Sequence, residues 1–130
     1  MGLYKLAKKI HQNAVQHGWW KEKRSIGEII ALCHSELSEA LEEHRNGHTP
    51  NEIYFSCKSN CRDNNNGICN SKHPTLCDLG KPEGIPVELA DCIIRILDFC
   101  GSEEINIEQV IEMKHEYNKK RPYRHGGKVI

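Results

Sequence analysis

Residues 50–82 constrain the fold more than any other part of this chain. Only ten of these 33 positions are apolar, and four of the ten are cysteines: Cys57, Cys61, Cys69 and Cys77. Such a segment buries too little surface to offset the entropy lost on ordering it. With Asn64-Asn65-Asn66-Gly67 in its middle and Pro74 and Pro82 towards its end, it reads as an inserted loop module that needs a staple. The other 97 residues must therefore supply the core. At 38% apolar in a chain of 130, they suffice for one modest core, so a single domain over 1–130 is expected, with 50–82 an insertion within it.

Outside the insertion the apolar residues recur at steps of three and four. Leu3, Leu6, Ala7, Ile10, Ala14 and Val15 form one stripe, which predicts a helix ending near Gly18. A second runs through Ile26, Ile29, Ile30, Cys33, Leu37, Ala40 and Leu41, starting from Ser25 as N-cap with Glu28 three residues on and stopping near Asn46-Gly47. Pro86 suits the first turn of a third helix, whose broad face of Leu89, Ala90, Ile93, Ile94, Ile96, Leu97 and Cys100 predicts deep burial, with Gly101 as its end. Ile105, Ile107, Val110 and Ile111 predict a fourth helix, stopped near Arg121 by Pro122, and the tail from Tyr123 reads as irregular. The expected fold class is all-α, a four-helix bundle with a Cys-rich loop between the second and third helices. Cys33, Cys92 and Cys100, each inside an apolar stripe, are expected in the core.

Eighteen basic and eighteen acidic residues cancel, which argues against long nucleic acid as a partner. The balance is uneven along the chain: residues 114–130 carry a net +5 and residues 1–113 a net −5. No apolar run approaches the ~18 residues of a membrane span, and Met1 to Ile10 is a lysine-bearing amphipathic stretch without a cleavage signature. A soluble, cytoplasmic protein with no membrane partner is the expectation.

Two polar stripes stand out. Glu36, Glu39 and Glu43 share one line of the second helix, and Glu88, Asp91, Arg95 and Asp98 repeat at three, four and three on the otherwise apolar third. Each reads either as a solvated face or as half of a carboxylate cluster of the kind Mg²⁺ or Mn²⁺ requires. Lys114, Asn118 and Arg121, followed by Tyr123, Arg124, His125, Gly126, Gly127 and Lys128, are phosphate-binding types; the plain alternative is a basic frayed terminus. Together the acidic body and the basic tail suit a metal-bound polyphosphate. Trp19 and Trp20 read equally as a platform for a base or as packing anchors. In the insertion, Cys57-x3-Cys61-x7-Cys69-x7-Cys77 supplies four soft ligands for a structural Zn²⁺, with His73 in reserve; free thiols, disulfides or a cluster of iron and sulfur are the alternatives.

The blocks Leu32–Arg45 (LCHSELSEALEEHR), Gly84–Asp98 (GIPVELADCIIRILD) and Lys114–Lys128 (KHEYNKKRPYRHGGK), with the Gly18-Trp19-Trp20 turn, resemble the MazG-like, all-α nucleoside triphosphate pyrophosphohydrolase superfamily. The resemblance implies Mg²⁺ held by the Glu-x-x-Glu and Glu-x-x-Asp motifs, here Glu36, Glu39, Glu88 and Asp91, with Glu36 and Glu39 catalytic. It implies hydrolysis of a nucleoside triphosphate between its α and β phosphates, to a monophosphate and pyrophosphate. It also implies triphosphate contacts from Lys114, Asn118 and Arg121, with His125 and Lys128 as additions, a base contact from Trp19 or Trp20, and a homodimer or homotetramer. The chain departs from the family pattern twice. Ser35 precedes Glu36 where many members double the glutamate, leaving Glu39 or Glu43 as substitutes, and 48 residues separate Glu39 from Glu88 where the connection is commonly much shorter. The competing reading is a non-enzymatic zinc-binding interaction module on a dimeric helical bundle.

Overall fold

The computed structural model describes residues 2–56, 64–65, 68–69 and 80–130, with side chains over 2–56 and 80–130. Cys57, Cys61, Cys77 and His73, and the side chain of Cys69, lie outside the described residues. The described chain is mostly helical, and none of its helices is long and apolar enough to cross a membrane. In order come α1 (Leu3–Gln16), α2 (Ile26–Arg45), β1 (Tyr54–Ser56), β2 (Asn64–Asn65), β3 (Ile68–Cys69), β4 (Lys81–Glu83), α3 (Ile85–Ser102), α4 (Ile107–Lys119) and a short turn, α5 (Arg124–Gly127).

Local chemistry sets these boundaries. The Ser25 hydroxyl accepts from the Glu28 backbone N–H while the Glu28 carboxylate accepts from the Ser25 N–H, a reciprocal cap that starts α2 where the sequence predicts it. Asn46 caps its other end. At the start of α4 the Asn106 side chain accepts from the Gln109 N–H. Gly84 has φ +122°, and a Cβ there would collide with the Glu52 carbonyl oxygen, so only glycine lets the chain turn from β4 into α3.

The chain divides into two compact units, Met1–Lys23 with Ile96–Ile130, and Arg24–Arg95. In the first, Ala7, Leu97 and Cys100 are buried, with Leu6, Ile10, Ile105 and Ile107 packed against them. Gly101, in the last turn of α3, packs against α1 in this unit. The third helix continues through it to Ser102, and a Cβ at Gly101 would stand 2.7 Å from the Ala7 carbonyl oxygen and 2.6 Å from the His11 Cβ. The helix thus ends one residue past the expected Gly101, and the glycine also lets two backbones meet.

In the second unit Ile29, Ala40 and Cys92 are buried, together with two carboxylates, Glu36 and Glu88. A two-stranded antiparallel ladder pairs β1 with β4, setting Tyr54 opposite Glu83 and Ser56 opposite Lys81, so the insertion leaves and re-enters on neighbouring strands. Within it β2 and β3 pair antiparallel, Asn64 opposite Cys69.

Three expectations are corrected. Leu89, Ile93, Ile94 and Ile96 are 40–54% exposed, so the broad face of α3 is not deeply buried within one chain. Cys33 is only half-buried, whereas Cys92 and Cys100 are core. The tail is not wholly irregular: Arg124, His125, Gly126 and Gly127 all take positive φ and form one hydrogen-bonded turn closed from Tyr123 to Lys128.

Candidate metal centre

The two Glu-x-x-acid motifs meet within the second unit. Residues at i and i+3 lie on one face of a helix, so α2 presents Glu36 with Glu39, and α3 presents Glu88 with Asp91. Oxygens of Glu36, Glu88 and Asp91 lie within 4.8 Å of one another. A second set, Glu43, Glu83 and Glu88, is equally close, so Glu88 is common to both.

Burial and like charge together set the electrostatics. Desolvation, followed by the Glu39 carboxylate and then Asp91 and Glu36, pushes the Glu88 carboxyl up to about 7. Protonated, Glu88 donates to Glu39, which is how two carboxyl groups share one hydrogen bond. Burial and Glu36 likewise raise Asp91, against the opposing pull of Lys81 and Arg95. Glu36, whose side chain is 8% exposed, is met by the Arg95 guanidinium, Nε donating to Oε1 at 2.5 Å. Ser35, in the place of a doubled glutamate, donates its hydroxyl to the Leu32 carbonyl at 2.6 Å.

The insertion's stem contributes as well. Tyr54 on β1 donates to both Glu43 oxygens at 2.9 and 3.0 Å, and desolvation first, then that bond, pushes its phenol up to about 12. His48 stacks on Tyr54 with centroids 4.6 Å apart, and its Nδ1 lies 2.7 Å from Glu52. Glu83 on β4 accepts from the Ser56 hydroxyl at 3.2 Å. Sequence reasoning passed over Glu83 and Tyr54 because nothing in their spacing shows that β1 and β4 pair. It placed Arg95 on the acidic stripe without giving it a partner.

The donor set fits a hard divalent cation. Carboxylate oxygens are what Mg²⁺ binds, and two buried carboxyls with a third alongside hold more negative charge than one guanidinium offsets.

The remaining sequence candidates lie in the other unit. Trp20 donates its indole N–H to Asp98 at 3.0 Å, His11 Nδ1 is 2.8 Å from the same carboxylate, and the two rings meet edge to face at 5.0 Å. These contacts make Trp20 an anchor of its own unit, while Trp19 is 62% exposed. Asp98 therefore leaves the acidic stripe and takes indole and imidazole partners. Lys114 and Arg121 both stand over the Tyr117 ring, at 4.8 and 5.8 Å, and Asn118, His125 and Lys128 are exposed. No family model, no curated protein and no solved structure matches this chain.

Proposed function

We propose that this chain is a Mg²⁺-dependent nucleotide pyrophosphohydrolase of the MazG-like type, splitting nucleoside triphosphates between the α and β phosphates. The observation that carries the reading is the convergence of Glu36, Glu88 and Asp91 from the two helices that bear the Glu-x-x-acid motifs. Chance solvated stripes have no reason to bury two of their carboxylates against each other. Glu36, Glu39, Glu88 and Asp91 would hold Mg²⁺, or Mn²⁺ in its place, and the ion would supply Lewis acidity at the phosphoryl oxygens and acidify a bound water. Glu39, exposed on α2 and in contact with Glu88, is the better base for that water's proton; Glu43 is engaged at both oxygens by Tyr54. Water adds to phosphorus, the α–β anhydride bond breaks, and monophosphate and pyrophosphate leave. The resemblance to the MazG-like superfamily is what assigns phosphate contacts to Lys114, Asn118 and Arg121, with His125 and Lys128 as additions, and a base contact to Trp19 or Trp20.

Self-association belongs to the same reading. Ile26, Ile30, Leu37 and Leu41 on α2 and Leu89 and Ile93 on α3 are 43–58% exposed, apolar side chains of the kind a contact between copies buries. A MazG-like dimer or tetramer in the cytosol, its helices completing a bundle between copies, would cover them.

The deciding experiment is a panel of canonical, deoxy and modified nucleoside triphosphates with Mg²⁺, read as monophosphate plus pyrophosphate. Turnover of at least one, lost in Asp91→Ala with the helical circular dichroism retained, supports the assignment. A panel with no product, or an Asp91→Ala variant as active as the parent, refutes it.

A further inference from the structure

Arg95 has no role in the chemistry above, yet it makes the shortest polar contact of the cluster. Its Nε donates to Glu36, the most deeply placed carboxylate after Glu88, while its own side chain is 38% exposed. A carboxylate so poorly hydrated either takes up a proton, as Glu88 does, or keeps a cation close by, as Glu36 does. Lys81 and Arg95 both act on Asp91. Lys81, however, is 69% exposed on β4 and its ion pair, at 3.6 Å, is with Glu83. Arg95 alone is hydrogen-bonded into the set that Glu36, Glu88 and Asp91 form.

We infer that Arg95 is the resident counter-cation of the carboxylate cluster, and that guanidinium and divalent ion are alternative partners of Glu36. The inference rests on the proposed Mg²⁺ site. A guanidinium on Glu36 Oε1 and a divalent ion on the same carboxylate stand a few ångströms apart in a poorly hydrated site, so their like charges oppose each other. The long, partly exposed Arg95 side chain can withdraw towards water, whereas Glu36 is fixed mid-helix. Metal binding is thus an exchange of cations, and its affinity is set by what Arg95 must give up.

The test uses Mn²⁺ alone, titrated calorimetrically into the full chain without nucleotide. Arg95→Gln removes the competing charge and should bind Mn²⁺ about tenfold more tightly than the parent, ~1.4 kcal/mol. Equal or weaker binding by the variant overturns the inference, since Arg95 would then support the ligands rather than compete with the ion. A second readout needs no variant: the Nε–H resonance of Arg95 in a ¹H–¹⁵N spectrum should move to an exposed, rapidly exchanging position as Mg²⁺ saturates the protein. A resonance that stays protected in saturating Mg²⁺ also overturns it. Asp91→Ala separates the two layers. If the parent binds Mn²⁺ and Asp91→Ala does not, the metal site stands whatever Arg95 does; if the parent itself binds no Mn²⁺, the site and the exchange fall together.

Discussion

Replacing Glu88 by Gln should make the metal-free protein more stable at pH 8, the reverse of what loss of a buried hydrogen-bonding residue usually does. The Glu88 carboxyl is pushed from its ordinary 4.5 up to about 7 by burial and by Glu39, Asp91 and Glu36. Between those values the folded chain holds a proton that the unfolded chain has released. Folding stability therefore contains a contribution fully present below about 4.5, which declines as pH rises and is gone above about 7. The interval is worth at most about 3 kcal/mol, at ~1.36 kcal/mol per pH unit. It belongs to the Glu39–Glu88 pair, which titrates as one system. Gln keeps the shape and can still donate to Glu39, but carries no charge to bury. Denaturation in chelator at pH 5 and pH 8 is the assay: the parent should lose stability across that span, and Glu88→Gln should lose less and be the more stable at pH 8. For a chain of this length each kcal/mol is worth roughly 3–5 °C in Tm. Excess Mg²⁺ should invert the order, stabilising the parent and leaving the variant unchanged. A parent whose stability is flat between pH 5 and 8, or a variant less stable than the parent at pH 8 in chelator, would refute the buried repulsive cluster.

Gly101→Ala should cost about 1–3 kcal/mol by calorimetry, because the added carbon meets the Ala7 carbonyl oxygen at 2.7 Å and a backbone must shift. Tyr54→Phe removes a hydroxyl that donates to both Glu43 oxygens and should cost about 1.5–3 kcal/mol; a spectrophotometric titration of the parent should show a phenol ionising near 12 that the variant lacks. Ile93→Glu places a charge on a face that is 54% exposed in one chain, so it should halve the mass seen in sedimentation while leaving each chain helical. Retention of the parent's mass would show that α3 is not at the interface between copies.

The helices were readable because each depends on neighbours close in sequence. The Ser25–Glu28 cap, Asn46 past the end of α2 and Pro86 in the first turn of α3 are local signals, and each occurs where the spacing puts it. The i, i+3 spacing of the two carboxylate stripes left a solvated face and a shared cluster both open, and only the structure brings Glu36, Glu88 and Asp91 together. What eluded the sequence is chemistry between distant residues. Gly101 looks the same in sequence whether or not it also lets one helix pass another, and the answer lies in Ala7 and His11, some ninety positions away. Asp98 falls in register with Glu88 and Asp91 but bonds Trp20 and His11. Glu83 reaches the acids only because β1 and β4 pair. The exposed half of α3 misled for another reason: hydrophobic periodicity marks a face as apolar and does not say whether anything covers it.

The ladder register has an evolutionary corollary. Ser56 and Lys81 are direct partners, so the 24 residues between them begin and end at one spot, and a tight hairpin turn would bridge the gap as well. Lengthening a closed loop is cheap, about 0.6 kcal/mol for each doubling. Growing such a hairpin from about three residues to 24 is three doublings, roughly 2 kcal/mol. The pairing of β1 with β4 sets where Tyr54 and Glu83 stand, whatever the length of chain that joins the two strands.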